Sequence, residues 1–162
     1  MAQYSHSFHK FAANKISMIQ RLQSIFYLLS GGIFFSEFAL PFATSTNTAS
    51  KFFEDSVYDI NDHTLLLVLA CLGGAVGVLN VFLFKNRPLQ IRLGYLLIVL
   101  AVLLPVLAAV LMLTAGEATA AGEQITEQAG LFVPIAAIIF AYLGNRYTKK
   151  DENLVRSMDR LR

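Results

Sequence analysis

The sequence predicts an all-α protein built as a bundle of four transmembrane helices. Only 15% of its 162 residues are charged, whereas ordinary soluble domains are about a quarter charged. Four apolar stretches come close to the roughly 20 residues that cross a hydrocarbon core about 30 Å thick. They are apolar on every side and lack the period-2 alternation of outer-membrane strands. A chain of this length cannot bury four such helices in a soluble core.

The four predicted spans cover residues 22–43, 64–84, 93–113 and 129–147. The first contains one charge, Glu37, and the second and third contain none. The fourth is the shortest apolar run. Pro105 falls in the middle of the third span, where the loss of one backbone hydrogen bond predicts a kink.

The two ends of the chain lie outside the predicted spans. Residues 1–17 are predicted to be a cytoplasmic extension of a four-span domain that covers residues 18–162, and Met18 is a second candidate start of translation. Residues 149–162 predict a short amphipathic cytoplasmic helix that rests on anionic lipid or docks a partner. The alternative for this tail is a solvated continuation of the fourth helix.

The basic residues predict the orientation of the bundle. Of the 13 lysines and arginines, the first loop contains only Lys51 and the third loop contains none. Because segments rich in Lys and Arg stay on the cytoplasmic side, both termini are predicted to be cytoplasmic. We call the other cations the basic cytoplasmic face: Lys10, Lys15, Arg21, Lys85, Arg87, Arg92, Arg146, Lys149, Lys150, Arg156, Arg160 and Arg162.

Small residues in the second span predict a helix-packing face. Gly73 and Gly77 form a GxxxG pattern, and Ala70 and Gly74 repeat the same spacing. Small residues let helix backbones approach closely in a membrane, where lipid is as apolar as leucine. We interpret this face as packing within the chain, and a homodimer interface is the alternative.

The sequence contains few groups suited to catalysis or cofactor binding. His6, His9 and His63 lie outside the spans or at their edge, so no metal or haem site is predicted in the membrane. Cys71 is the single cysteine and has no disulfide partner. Nucleophile-elbow, phosphate-loop and HExxH patterns are absent from the sequence, and a net charge of +2 does not predict nucleic-acid binding. We therefore expect no enzyme activity, cofactor or metal.

Glu37 is the only formal charge inside the apolar part of a span and is the candidate functional residue. It lies about 24 Å along the helix from Arg21, roughly 6 Å short of the outer boundary of the hydrocarbon core. The simpler interpretation is an outer-leaflet acid that reaches water or is capped by Ser36. The alternative is a carboxyl that faces the bundle interior, pairs with His63 and carries protons.

Three stretches of the chain resemble a known family. They are MIQRLQSIFYLLS at 18–30, LFKNRPLQIRLGYL at 83–96 and GLFVPIAAIIFAYLGNRYTKKDENLVRSMDRLR at 130–162. All three are similar to small four-helix membrane proteins of Bacteroidota catalogued as domain of unknown function 4293. The resemblance implies a multi-pass inner-membrane protein of a Gram-negative cell, and it supplies no catalytic or binding residue.

These observations leave three functional hypotheses. The leading one is a structural or accessory membrane protein that docks a partner through the basic cytoplasmic face. The second is a small proton-coupled transporter that uses Glu37. The pattern of four spans with one acidic residue in the first is similar to that of small multidrug-resistance transporters. The third is an enzyme acting on lipid, for which the sequence contains no motif. Expected partners are membrane lipid, a protein at the cytoplasmic face and, through the small-residue face, a second copy of the chain.

Overall fold

Four long helices dominate the computed structural model, which describes residues 22–45, 56–114 and 126–159. Each of the four is long and apolar enough to cross a membrane. The predicted bundle of four long apolar helices is therefore confirmed, whereas the proposed extension at residues 1–17 lies outside the described residues. The helices are α1 (22–36, continued by the 3-10 turn Glu37–Ala39), α2 (Thr64–Phe82), α3 (Arg87–Thr114) and α4 (Val133–Asp159).

Prolines explain two differences between the predicted spans and the helices. The first span ends at Ala39 rather than at residue 43, because the residue before a proline avoids the helical region and Leu40 is accordingly extended, with φ −123° and ψ 117°. α3 begins at Arg87 rather than at residue 93, with Pro88 in its first turn, where a missing N–H costs nothing.

The C-terminal segment continues α4 and does not form a separate helix. α4 has 27 residues, which makes it about 40 Å long at about 1.5 Å per residue. The prediction of a separate amphipathic helix is therefore wrong, and the alternative, a continuation of the fourth helix, is what the structure shows. Neither proline nor glycine interrupts the chain after Gly144, and Thr148 and Asp151 are buried against the bundle.

A three-stranded antiparallel sheet joins the chain segments at the end of the bundle where α1 ends and α4 begins. Its strands are β1 (Ala43–Thr44), β2 (Val57–Tyr58) and β3 (Thr126–Glu127), in the order β2-β1-β3. The register pairs Ala43 with Tyr58 on one side and with Glu127 on the other. This sheet, which we call the cap, was not predicted from the sequence.

Large apolar side chains cover the outside of the helices. Phe82 is 70% exposed, and exposed leucine, valine and isoleucine side chains follow the outward faces of α2, α3 and α4. A surface of this kind suits lipid and not water. The buried core contains aromatic rings and small residues, among them Tyr27, Phe34, Leu97, Ala101, Leu104, Ala108, Ala137 and Ala141.

Candidate functional site

One face of α1 brings polar side chains into the interior of the bundle. Gln23, Tyr27, Ser30, Phe34 and Glu37 alternate in steps of four and three residues, which places them on a single helix face. All five are buried, with relative exposures of 0 to 2%. Since the rest of α1 is largely apolar, this stripe contains the side chains of α1 that can form hydrogen bonds or carry charge inside the bundle.

Glu37 lies at the C-terminal end of this stripe, in the 3-10 turn Glu37–Ala39. Its side chain is buried, and among the residues that the structure describes neither carboxylate oxygen has a hydrogen-bond partner. Ser36 does not cap it, because the Ser36 hydroxyl donates to the Ile33 carbonyl at 2.7 Å. Glu37 thus has the interior orientation, the second of the two interpretations of the sequence.

His63 does not pair with Glu37. It is the N-cap of α2, and its Nδ1 accepts a hydrogen bond from the Leu65 N–H at 3.2 Å. The predicted Glu37–His63 pair is therefore wrong, because the imidazole satisfies a free backbone donor of its own helix.

A hydrogen-bonded chain joins α1, α3 and α4 at the opposite end of the bundle. The Asn145 amide nitrogen, in the orientation that satisfies its neighbours, donates to the Tyr27 hydroxyl at 2.8 Å and to the Ile91 carbonyl at 3.2 Å. The Tyr27 hydroxyl lies 3.1 Å from the Thr148 hydroxyl, which donates to the Gly144 carbonyl at 2.9 Å. Because each group finds a partner, this chain is suited to fixing the relative position of the helices.

An ion pair connects the start of α3 to the last part of α4. Arg87 Nε lies 2.7 Å from Asp151 Oδ2, and the two side chains are 20% and 0% exposed. Near Arg87 in the sequence, Asn80 and Gln90 form two hydrogen bonds with each other. The side-chain amide of each residue donates to the backbone carbonyl of the other at 3.1 Å. These two hydrogen bonds connect the end of α2 to the start of α3 across the turn between them.

Most residues of these connections lie within the stretches that carry the sequence resemblance, and Asn80 lies three residues before the second stretch. Tyr27 is in the first stretch, Arg87 and Gln90 are in the second, and Asn145 and Asp151 are in the third. A family model described as "Domain of unknown function (DUF4293)" matches residues 19–161. The chain belongs to this family. Searches of curated proteins and of solved structures found no match.

The small-residue face of this DUF4293 chain packs against α1. A methyl group on Gly77 would lie 2.5 Å from the Gly31 Cα and 2.8 Å from the Gly31 nitrogen, and one on Gly73 would collide with the Phe34 ring. Helix α1 of the same chain therefore occupies the surface formed by Gly73, Gly74 and Gly77, and Ala70 of the same face is also buried.

Sequence reasoning found Glu37 in this DUF4293 chain but missed the polar groups at the other end. The seven-residue spacing of Gln23, Ser30 and Glu37 was a usable signal. Asp151 was hidden because it lies in a charged tail that resembles a solvated segment. Groups of three or more His, Cys, Asp or Glu able to hold a metal are absent from the described ranges, so the expectation of no metal or cofactor stays a prediction.

Proposed function

We propose that this chain crosses a bacterial inner membrane four times with both termini in the cytoplasm, and that it is a structural or accessory subunit of a membrane assembly. The outward apolar surface of the four helices supports the membrane placement. The concentration of lysines and arginines at the termini and in the second loop supports the orientation.

The extension of α4 is the observation that carries the docking role. Its apolar part ends near Leu143, yet the helix continues to Asp159. The buried carboxylate of Asp151 is bound to Arg87, which holds the extension against α3. A segment fixed before it meets a partner loses little conformational entropy on binding.

The chemistry of the extension indicates an acidic partner. Lys150, Asn153, Leu154 and Arg156 are exposed on this extension, and the Arg156 guanidinium lies 2.7 Å from the Glu152 carboxylate of the same helix. Exposed cations beside an apolar side chain complement an acidic surface that has an apolar centre, and such complementarity favours association and specificity. The proposed partner is thus the acidic cytoplasmic part of another membrane protein.

Copurification of the tagged full-length chain from its native membrane tests the proposal. We expect a stoichiometric partner that dissociates at high salt and is lost from the Lys150→Glu/Arg156→Glu variant. The Lys85→Glu/Arg92→Glu variant, with the same change of charge at the turn after α2 and near the start of α3, is the control and should retain the partner. Absence of a stoichiometric partner, or equal loss in both variants, would contradict docking through α4.

A second candidate, proton-coupled transport, is favoured by the burial of Glu37 without a hydrogen-bond partner among the described residues. Ionisable groups inside a membrane commonly mark ion or proton pathways. Proton flux into proteoliposomes under a pH gradient tests this role. The flux should vanish in Glu37→Gln and persist in Glu127→Gln, where the exposed carboxyl lies in the cap. Equal flux in wild-type and Glu37→Gln vesicles would contradict a proton-carrying role of Glu37.

A further inference from the structure

A groove between α3 and α4 opens where α4 leaves its apolar part. It encloses about 460 Å³ and is lined by Tyr95 from α3 and by Tyr142, Arg146, Lys149 and Lys150 from α4. These five side chains are exposed and take no part in the ion pair between Arg87 and Asp151. Three cations and two tyrosines therefore share one concave surface.

The groove residues of α4 are ordered by depth along the helix. Tyr142, Arg146 and Lys149 follow the spacing i, i+4 and i+7 of one helix face. Tyr142 is at the end of the apolar part, and Arg146 and Lys149 lie about 6 and 10 Å further along the axis. Tyrosines favour the boundary between acyl chains and headgroups, and cations favour the level of the phosphates. The order of the side chains therefore follows the layers of a bilayer leaflet.

Contacts with α3 hold Lys149 across the groove. Its Nζ donates to the Tyr95 hydroxyl at 2.6 Å and lies 5.1 Å from the centroid of the Tyr95 ring. An ammonium group has three N–H donors, so two are left for an anion after the bond to Tyr95. The cation is thus positioned before a ligand arrives, which lowers the entropy lost on binding.

An exposed apolar strip continues from the groove toward the middle of the bundle. Val99 and Val106 share a face of α3 with Tyr95, and Ile135 and Ile139 share a face of α4 with Tyr142. A soluble phosphate would contact only the cations and would not use this strip. An anion that carries hydrocarbon chains would contact both.

We propose that the groove binds the phosphate headgroup of an anionic phospholipid, whose acyl chains lie along Val99, Val106, Ile135 and Ile139. The Arg146 guanidinium supplies the planar donor pair that fits phosphate oxygens, and Lys149 adds a fixed charge. Basic pockets between membrane helices on the cytoplasmic side are suited to anionic headgroups. This inference rests on the membrane placement proposed above. Lys150, Asn153 and Leu154 line both the groove and the proposed docking side of α4, whereas Arg146 and Lys149 belong to the groove alone.

Native mass spectrometry of the purified full-length chain in mild detergent tests the groove. The probes are dioleoylphosphatidylglycerol, dioleoylphosphatidylcholine and glycerol 3-phosphate. We expect the anionic lipid to bind more tightly than the zwitterionic one. Arg146→Gln/Lys149→Gln should weaken its binding about 30-fold, since each cation near a membrane surface contributes roughly a factor of five. Lys85→Gln/Arg92→Gln, which removes the same charge outside the groove, is the matched control and should change affinity less than about twofold.

Three outcomes would overturn the proposal. Equal loss in both double variants would show a response to total charge, and equal affinity for the two lipids would show no anion selectivity. Displacement of phosphatidylglycerol by millimolar glycerol 3-phosphate would assign the site to a soluble phosphate. The single variant Lys149→Gln, which removes one exposed charge, provides the same comparison if the double variant does not fold. The lipid test changes Arg146 and Lys149, which the copurification variants leave intact, so the two proposals can fail separately.

Discussion

Two buried residues on the same face of α1 illustrate the residue scale. The Tyr27 hydroxyl lies within hydrogen-bond distance of Asn145 and Thr148, whereas the Glu37 carboxylate has no hydrogen-bond partner among the described residues. A satisfied polar group inside a bundle fixes neighbouring helices, and an unsatisfied one lowers stability. The effect of a polar residue on stability therefore depends on its hydrogen-bond partners and not on its position in the stripe.

Replacing Glu37 with leucine should stabilise the purified protein. The change removes a buried polar group that has no partner, and we expect a gain of about 1–3 kcal/mol in the free energy of unfolding. Thermal unfolding in detergent, followed by circular dichroism, measures it. Glu127→Leu changes an exposed carboxyl and is the control. A lower unfolding midpoint for Glu37→Leu would show that the carboxyl has a stabilising contact.

Tyr58 in the cap should make stability sensitive to alkaline pH. Its hydroxyl donates to the Ala108 carbonyl at 3.1 Å, and burial, with a smaller effect from the Asp62 charge, raises the pKa of Tyr58 to about 12. An unfolded tyrosine has a pKa near about 10. Between these values the folded chain keeps a proton that the unfolded chain loses, so stability falls as pH rises.

The unfolding midpoints of the wild type and of Tyr58→Phe at about pH 9 and about pH 11 test this linkage. The variant loses one hydrogen bond, so its midpoint at the lower pH should be reduced by the equivalent of about 1 kcal/mol. It should then lose less stability than the wild type between the two pH values. Parallel behaviour of the two proteins would contradict the role assigned to Tyr58.

At the scale of elements, the contact between α1 and α2 includes one close approach of the two helix backbones, at Gly77 and Gly31. Gly77→Ala places a methyl group 2.5 Å from the Gly31 Cα, and backbone cannot move aside as a flexible side chain can. We expect a loss of about 1–3 kcal/mol from this overpacking, measured as a lower unfolding midpoint in detergent.

Gly32→Ala is the matched control on the facing helix. A methyl group at Gly32 would meet nothing within 4 Å, and alanine favours a helix over glycine by about 1 kcal/mol. This variant should therefore be as stable as the wild type or more stable. The interpretation of the packing face fails if both alanine variants shift the midpoint in the same direction.

The helices were predictable because a span without water must satisfy its own backbone hydrogen bonds, which makes long apolar runs decisive. The ends of the helices were less predictable. The early end of the first span is readable from Pro41, but the continuation of α4 depends on burial of Thr148 and Asp151 against other helices. The cap strands have two residues each, too few to show a periodic pattern.

The candidate site was predictable only in part. Glu37 was found because a charge in an apolar run is conspicuous, but its inward orientation depends on the 3-10 turn that follows α1. The role of His63 as an N-cap was missed because the prediction paired it by proximity in the membrane and not by its position before α2. Arg87 was read as a marker of orientation, while its ion pair requires a residue 64 positions away.

At the scale of the whole molecule, the orientation is the prediction with the widest consequences. A reporter fused after Arg162 should be active only if it requires the cytoplasm, because most basic residues lie at the termini and in the second loop. Reporters inserted within residues 44–63 or 114–128 should be active only if they require the periplasm. A periplasmic C-terminus would contradict the four-span arrangement and would also move the α4 extension away from any cytoplasmic partner.

The cap gives the molecule a modular character. β1 follows α1 and pairs with β2 of its own helical hairpin on one side and with β3, which precedes α4, on the other. At the far end Tyr27 contacts Thr148, and Asn80 exchanges hydrogen bonds with Gln90. Both ends of the α1–α2 hairpin are therefore fastened to the α3–α4 hairpin without using the covalent link near Asn86. We therefore expect two separately synthesised halves, divided at that turn, to associate with each other when they are produced together.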